Sequence, residues 1–239
     1  MIDTAKQQAM RKDDHILHAL SQYHVQSSDE FLQTQFVRQS FSGIALDNVS
    51  LQTNVGEWQL QAPFFINAMT GGSRKAEQVN KDLAIVARET GLAMATGSVS
   101  VALKDKQAEK SFSIIRQMNP KGIVFANLGA HHSVENAKKA VELLLADAIQ
   151  IHVNTAQELI MPEGERDFTG WLKNIEEMVR VLNVPVIVKE VGFGMARETI
   201  EMLFNIGVRM IDISGKGGTN FVQIENQRRL DLSYGIFNT

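Results

Sequence analysis

Short apolar runs alternate with amphipathic stretches along most of the chain. Six of the runs predict buried β-strands, at residues 62–68, 92–96, 122–128, 148–154, 184–190 and 208–214. Apolar residues spaced three and four apart predict helices between them, at residues 77–90, 111–118, 134–145, 168–182 and 197–205. A strand followed by a helix, repeated in this way, indicates a parallel sheet covered by helices.

The polar residues at the strand ends favour one kind of parallel sheet over the other. A doubly wound sheet gathers polar function at one switch point, whereas all strand ends of a (β/α)8 barrel converge on one mouth. Here polar or small residues close nearly every predicted strand: Asn67, Thr70, Thr96, Ser98, Asn127, His152, Asn154, Lys189, Glu190, Asp212 and Ser214. The predicted fold class is therefore α/β, a TIM (β/α)8 barrel.

The number of strands is too small for a closed barrel. A TIM barrel has eight strands in roughly 250 residues, and six precede the end of this chain at Thr239. The sequence therefore predicts one barrel domain over residues 1–239, with an N-terminal extension at 1–60. It also predicts a barrel truncated after about the sixth strand, with strands 7 and 8 not present.

Composition narrows the class of protein further. The chain has 239 residues, 44% hydrophobic and 21% charged, with a net charge of −3 and no cysteine. A nucleic-acid-binding surface is not indicated, and disulfides and thiolate metal sites are excluded. The polar N-terminus lacks the apolar core of a signal peptide, and no apolar run reaches the ~20 residues of a membrane helix. We expect a cytoplasmic protein without nucleic-acid or membrane partners.

The fourth predicted strand carries the most unusual pattern. Its apolar residues alternate with Gln150, His152 and Asn154, and Gln157 and Glu158 follow its end. Glu158 could bind a divalent cation, since Mg²⁺ takes one or two carboxylates together with substrate phosphates. A solvated surface glutamate and structural roles for the other polar residues are the plain alternatives.

Two glycine-rich stretches and two groups of cations are further candidates. The stretches NAMTGGS (67–73) and SGKGGTN (214–220) could hold an anion through backbone amides, or be plain turns. Lys189 could form a Schiff base, lie beside an anionic cofactor, or pair with Asp212. The stretch RKDDH (11–15) begins a weak helical pattern that is also typical of a solvated terminus.

Taken in order, these motifs resemble the type 2 isopentenyl-diphosphate isomerases, which are flavin-dependent. The similarity runs from Arg11 to Arg229, through RKDDH, FFINAMTGG, TGSVS, FANLGA, IHVNTAQELIMPEGERDF, VPVIVKEVGFGM and DISGKGGTNF. The QE-to-PEGERDF stretch and SGKGGTNF are its most specific parts. The resemblance implies a barrel that interconverts isopentenyl and dimethylallyl diphosphate, using reduced FMN and Mg²⁺, with NADPH as reductant. It also implies a homo-oligomer, a tetramer or an octamer.

The resemblance also assigns roles to individual residues. It implies catalytic roles for Gln157, His152 and Asn154, with Gln157 positioning or relaying beside the substrate, and a metal-binding role for Glu158. It implies that the substrate diphosphate is bound by Arg11, Lys12 and His15. The implied flavin contacts are Ala68, Met69, Thr70, Ser98, Asn127, Lys189, Ser214 and Thr219.

The chain departs from the family pattern in two places. Many members have an arginine or a similar cation shortly after the Gly-Ser of the second strand, where the first cation here is Lys104. The family's loops for the FMN phosphate, on its last two strands, do not occur. We therefore expect weak or absent FMN binding, and no activity, from a chain ending at Thr239. The alternatives are another FMN-dependent barrel, such as a 2-hydroxy-acid oxidase, and an inactive barrel fragment; a nucleotide dehydrogenase would need a cysteine.

Overall fold

The computed structural model describes residues 4–22, 35–215 and 219–229. These residues contain eight α-helices: α1 (Thr4–Ser21), α2 (Arg74–Thr90), α3 (Lys106–Met118), α4 (Val134–Leu144), α5 (Thr155–Ile160), α6 (Trp171–Val181), α7 (Arg197–Asn205) and α8 (Phe221–Arg228). Short 3-10 turns lie at Leu46–Asn48 and Val99–Val101.

Five strands form one parallel sheet in the order in which they occur along the chain. They are β3 (Met94–Ala95), β4 (Val124–Gly129), β5 (Ala148–His152), β6 (Val186–Lys189) and β7 (Met210–Asp212). Each is paired in parallel with the next. A doubly wound sheet reverses its strand order at a switch point, and this sheet does not. The α/β fold with a parallel, barrel-type sheet is confirmed.

The two faces of the sheet bury different kinds of side chain. The outward row includes Val124, Ile149, Ile151 and Val188, which pack with the helices in the main hydrophobic core. The inward row starts apolar at the N-terminal ends of the strands, with Ala95, Phe125, Ala148 and Ile187 in a second, smaller cluster. It continues as Asn127, Gln150, His152, Lys189 and Asp212 towards the C-terminal ends. The alternation predicted for the fourth strand is therefore confirmed.

A β-hairpin covers the apolar end of the inward row, and the sequence pattern did not reveal it. Strands β1 (Thr53–Val55) and β2 (Trp58–Leu60) pair antiparallel. Leu60 is buried in the smaller cluster, and the ring of Trp58 lies 5.3 Å from that of Phe125. The hairpin packs against the apolar end of the sheet interior, so the polar end of the inward row lies at the strand C-termini.

Several predicted boundaries were wrong. The strand predicted at residues 62–68 is reduced to one parallel bridge, between Ile66 and Met94. Asn154 lies beyond β5, where it begins the short helix α5, and α5 itself was not predicted. Helix α3 starts earlier than expected because Asp105 accepts a hydrogen bond from the backbone of Gln107 at its N-terminus.

Helix α1 is held over the strand C-termini by polar contacts to α2 and α8. Its His15 Nε2 lies 2.7 Å from Glu225 Oε1, and both side chains are buried. Asp13 accepts a hydrogen bond of 2.5 Å from Ser73, whose hydroxyl also caps α2. These contacts place the start of the RKDDH stretch, Arg11 and Lys12, beside the mouth of the sheet. Among the described helices, none is long and apolar enough to cross a membrane.

Two helix ends with the same left-handed backbone offer a matched test of local strain. Helix α2 ends at Gly91 with φ 71°, and α4 ends at Leu145 with φ 45° and a side chain that is 70% exposed. A side chain in this conformation costs roughly 1 kcal/mol. We expect Gly91→Ala to lower the free energy of unfolding by about that amount and Leu145→Gly to leave it unchanged or raise it, as measured by urea unfolding. A loss of stability in Leu145→Gly as large as that in Gly91→Ala would contradict this explanation.

Candidate functional site

A cavity of about 920 Å³ lies at the C-terminal ends of the strands, beneath α1. Its volume is within the range of roughly 300–1,000 Å³ that small-molecule sites occupy. Most of the residues predicted to form a site line it: Arg11, Lys12, His15, Ala68, Met69, Ser98, Asn127, His152, Asn154, Gln157, Glu158 and Lys189. The structure therefore gathers into one cavity residues that are more than 170 positions apart in the sequence.

Three of the predicted residues lie elsewhere. Thr70 is buried, lines a separate small apolar cavity, and its hydroxyl has no hydrogen-bond partner within the described residues. Ser214, with φ 52°, and the exposed Thr219 flank the sixth predicted strand but do not line the main cavity. Residues 216–218, the centre of the predicted SGKGGTN anion site, lie outside the described residues.

Helix α5 buries Glu158, in contrast to the solvated surface residue that a lone glutamate usually is. Its side chain is only 6% exposed. One carboxylate oxygen accepts a hydrogen bond of 3.0 Å from Asn154 Nδ2, and the other accepts one of 2.8 Å from the backbone of Glu165. Arg166 donates to four carbonyl oxygens of residues 158–165 and fixes the loop after the helix.

This environment leaves Glu158 able to bind a hard cation. An ionised carboxylate offers about four lone-pair positions, of which the two hydrogen bonds use two. The described residues contain no group of three or more His, Cys, Asp or Glu side chains that could hold a metal ion. The donor set thus fits a cation that takes one protein carboxylate, waters and ligand oxygens, and does not fit one caged by protein alone.

Helix α1 contributes two cations to the lining of the cavity. Arg11 is partly exposed and pairs with Glu163 at 3.1 Å. Lys12 is 8% exposed and has no hydrogen bond or ion pair within the part of the chain that the structure describes. Loss of hydration, and to a lesser extent the charge of Arg11, lower the pKa of Lys12 to about 7. A buried ammonium without a partner is costly, and an anionic ligand would provide the missing one.

Lys189 is the second buried cation, and it does not form the ion pair with Asp212 that was one of its three possible roles. The two residues are register partners on β6 and β7. Lys189 instead donates to the carbonyl of Glu190 at 2.8 Å, while Asp212 accepts hydrogen bonds from Asn67 and from the backbone of Ser214. Desolvation lowers the pKa of Lys189, and the negative charges of Asp212 and Glu190 partly offset this lowering.

The inner strand ends hold His152 as a neutral side chain. Desolvation first, and the charge of Lys189 second, lower the pKa of His152 well below its usual value. Its Nδ1 lies 2.9 Å from Asn127 Oδ1. Gln157 is close by on α5, where its amide oxygen accepts a hydrogen bond of 3.2 Å from Asn154.

A pair of neighbouring histidines in the cavity was missed by sequence reasoning. His131 and His132 follow β4, and their rings lie 4.2 Å apart. Nε2 of His132 is 2.6 Å from the hydroxyl of Ser100, which is 2.8 Å from that of Ser98. Burial, and then the charge of His131, lower the pKa of His132 to about 3. Position just after a predicted strand was the available signal, because such residues converge on the mouth of a barrel.

The buried ammonium of Lys12 gives a test with a defined sign. Because its pKa is about 7 in the folded chain and about 10.5 when unfolded, the unfolded chain binds more protons between these pH values. We expect Lys12→Met to raise the free energy of unfolding by at least about 1 kcal/mol at pH 7, since it removes a buried unpaired charge. The difference in the free energy of unfolding between the variant and the parent chain should be largest below pH 7 and should disappear as the pH approaches 10.5. Urea unfolding at several pH values measures it.

An exposed lysine serves as the control for this test. Lys75, on the surface of α2, changed to methionine in the same way should leave the stability close to that of the parent. Equal effects of the two substitutions, or a loss of stability in Lys12→Met across the whole pH range, would show that Lys12 is not a destabilising buried cation.

Comparison with known proteins identifies the family to which the chain belongs. No family model matches the chain. The isopentenyl-diphosphate delta-isomerase of Staphylococcus epidermidis (strain ATCC 35984) is 50% identical over 236 residues, covering 98% of this chain and 67% of that protein. Those of Staphylococcus haemolyticus and Staphylococcus aureus (strain JH9) are 51% and 49% identical over 230 residues, covering 95% of this chain and 66% of each relative.

Likeness to solved structures is weaker. A mandelate oxidase variant with an FMN monooxide adduct is 14% identical, with a TM-score of 0.49, covering 77% of this chain and 58% of that one. A similarity at this TM-score is too weak to identify a function or a cofactor. The sequence relatives are decisive, because about half of the residues are identical over nearly the whole chain. The chain belongs to the isopentenyl-diphosphate delta-isomerase family.

Proposed function

We propose that the cavity binds isopentenyl diphosphate and dimethylallyl diphosphate and interconverts them, with reduced FMN and Mg²⁺, as in the type 2 isomerases. The observation that carries this proposal is that one cavity is lined both by Lys12, which is buried and has no partner among the described residues, and by the buried carboxylate of Glu158. A diphosphate would neutralise Lys12, and Glu158 would be neutralised by a Mg²⁺ ion bound with it.

Arg11 and Lys12 are proposed to bind the diphosphate from above. The guanidinium of Arg11 pairs with Glu163, which is partly exposed, so a diphosphate can take over or share this contact at little cost. An anion bound beside Lys12 would also return its pKa towards the usual value, so that the ammonium form is the one that binds. His15 is proposed to act less directly, because its Nε2 is already engaged by Glu225.

Mg²⁺ is proposed to lie on Glu158. Glu158 would hold the ion, which would supply positive charge to the substrate diphosphate. Asn154 orients the carboxylate through its hydrogen bond to Oε1, and the amide of Glu165 does so from the other side. Such contacts around a metal ligand fix its position and affect metal affinity.

Reduced FMN is proposed to fit against the inner strand ends. Ala68, Met69, Ser98, Asn127 and Lys189 line the cavity there, and Lys189 is a buried cation suited to an electron-rich ring. When bound, the reduced flavin would supply the proton transfer and stabilise the positive charge that develops on the substrate. NADPH is proposed as the reductant of the flavin. The protein is further proposed to be a cytoplasmic homo-oligomer.

The chain's own polar groups are suited to positioning rather than to strong acid or base chemistry. Gln157 carries an amide, which neither gains nor loses a proton near neutral pH. Its position next to Asn154 and Met161 holds it at the wall of the cavity. Gln157 is therefore proposed to orient the substrate, while Lys12 and Arg11 hold its charge.

Isomerase activity is the first expected outcome. The chain, and a form extended by any residues that its gene encodes after Thr239, would be incubated with isopentenyl diphosphate, FMN, a reductant and Mg²⁺. Formation of dimethylallyl diphosphate by the extended form, followed by NMR of the prenyl protons, is expected only under reducing conditions. The chain ending at Thr239 is expected to show weak or no activity. Peroxide formation from 2-hydroxy acids, with no isomerisation by either form, would instead favour an oxidase and overturn the proposal.

The metal role of Glu158 gives a second expected outcome. Glu158→Gln keeps the size and the acceptor oxygen but removes the charge, so Mg²⁺-dependent turnover should fall at least about 100-fold. Flavin binding by the extended form, followed by absorbance, should persist in the variant. The matched control is Glu163→Gln, which alters another glutamate of the same cavity and should retain Mg²⁺ dependence. Unchanged Mg²⁺ dependence in Glu158→Gln would refute the assignment.

A further inference from the structure

Four side-chain hydrogen bonds join the inward row of the sheet into one chain. Asn67 Nδ2 donates to Asp212 Oδ2 at 2.9 Å, and Gln150 Nε2 donates to Asn67 Oδ1 at 3.3 Å. Asn127 Nδ2 donates to Gln150 Oε1 at 3.4 Å, and Asn127 Oδ1 lies 2.9 Å from His152 Nδ1. We call this chain, from Asp212 through Asn67, Gln150 and Asn127 to His152, the amide relay.

The direction of the amide relay is determined at Asn67. Its Oδ1 accepts a hydrogen bond of 2.7 Å from the backbone N–H of Ala68, which can only donate, and its Nδ2 faces the carboxylate of Asp212, which can only accept when ionised. If the amide of Asn67 were reversed, two donors would meet at one end and two acceptors at the other. Both hydrogen bonds would then be lost, including the one to a charged group.

The orientation of Asn67 is passed on to the next two amides. Because Oδ1 of Asn67 is an acceptor, Gln150 must present its NH₂ group to it and its carbonyl to Asn127. Asn127 must then present its own NH₂ group to Gln150 and its carbonyl to His152. Gln150 is fully buried, so water cannot replace a mismatched partner.

The last link fixes the protonation of the histidine. A carbonyl oxygen facing Nδ1 requires a proton on Nδ1, and a neutral imidazole carries only one N–H. His152 is held neutral, since burial and the charge of Lys189 lower its pKa well below the usual value. We infer that the amide relay holds His152 in the Nδ1–H tautomer, so that its Nε2 is a hydrogen-bond acceptor in the cavity.

This assignment makes Gln150 a positioning residue for His152, although Gln150 itself does not line the cavity. It also determines which ligand groups His152 can contact. An Nε2 lone pair accepts from an N–H, a hydroxyl, a water or a protonated phosphate oxygen, and repels a fully ionised one. Direct donation from His152 to an ionised diphosphate is therefore excluded, and that role falls to Arg11 and Lys12. The tautomer follows from the fold and holds whether or not the proposed isomerase activity is correct.

The test is the ¹⁵N spectrum of the imidazole nitrogens. The chain has six histidines, so protein labelled with ¹⁵N-histidine gives few signals, and the set belonging to His152 is the one that is lost in His152→Gln. Two-bond ¹H–¹⁵N correlation at pH 7.5 distinguishes protonated from unprotonated ring nitrogens. The expected result for the parent chain is a predominant Nδ1–H tautomer, in about fivefold excess, which is the ratio that corresponds to one net hydrogen bond of about 1 kcal/mol. A predominant Nε2–H tautomer, or an imidazolium, would overturn the inference without bearing on the isomerase assay.

A matched pair of substitutions tests whether the relay is the cause. Gln150→Met keeps the length of the side chain but breaks the relay, so Asn127 can reverse and His152 is expected to shift towards Nε2–H, the tautomer that histidine prefers in water. The control is Ile187→Val, in the residue paired with Gln150 on β6, which changes packing on the same face without touching a hydrogen bond. An unchanged His152 spectrum in folded Gln150→Met, or an equal shift in Ile187→Val, would overturn the role of the relay. If Gln150→Met does not fold, the tautomer of the parent chain still decides the inference.

Discussion

The buried amide of Gln150 is the constraint around which the inner face of the sheet is arranged. A side chain with no exposure must find partners for its carbonyl and NH₂ groups within the protein, or lose about 1–3 kcal/mol for each unsatisfied group. Asn127 and Asn67 supply these partners from the neighbouring strand and from the segment before α2. The polar half of the inward row is thereby organised as one connected unit, and the apolar half below it is closed by the β1–β2 hairpin.

The site also requires helix α1 to lie over the strand ends, and this position lowers the stability of the folded chain. The buried contact between His15 and Glu225 ties α1 to α8, and Arg228 extends it by pairing with Glu225, Asp14 and Glu163. This attachment forces Lys12 into a place where its ammonium is dehydrated and has no partner among the described residues. A group that weakens the free protein but would stabilise an anionic complex is typical of a binding site.

Features of the fold and the site were predictable where they follow from a local pattern in the sequence. The alternation of Ile149 and Ile151 with Gln150 and His152 predicted both faces of β5, because strand periodicity is read directly from the sequence. The hairpin at residues 53–60 has no strong alternation of apolar and polar residues, so the sequence did not predict it. The segment 62–68 is apolar enough to predict a strand, but in the structure only Ile66 pairs with a neighbouring strand, at Met94. Glu158 was a candidate from its position just past a predicted strand, and the role of Lys12 was identified from the family motif. Their burial, and the absence of a Lys189–Asp212 pair, depend on tertiary contacts that no local pattern encodes.

A crystal structure of the complex with isopentenyl diphosphate, FMN and Mg²⁺ would test the arrangement most directly. The diphosphate is expected beneath α1, with its oxygens within hydrogen-bonding distance of Arg11 and Lys12. One Mg²⁺ should join the diphosphate to Glu158, and the prenyl chain should point towards the inner strand ends. A diphosphate bound away from Lys12, or a metal that does not contact Glu158, would contradict the proposed site.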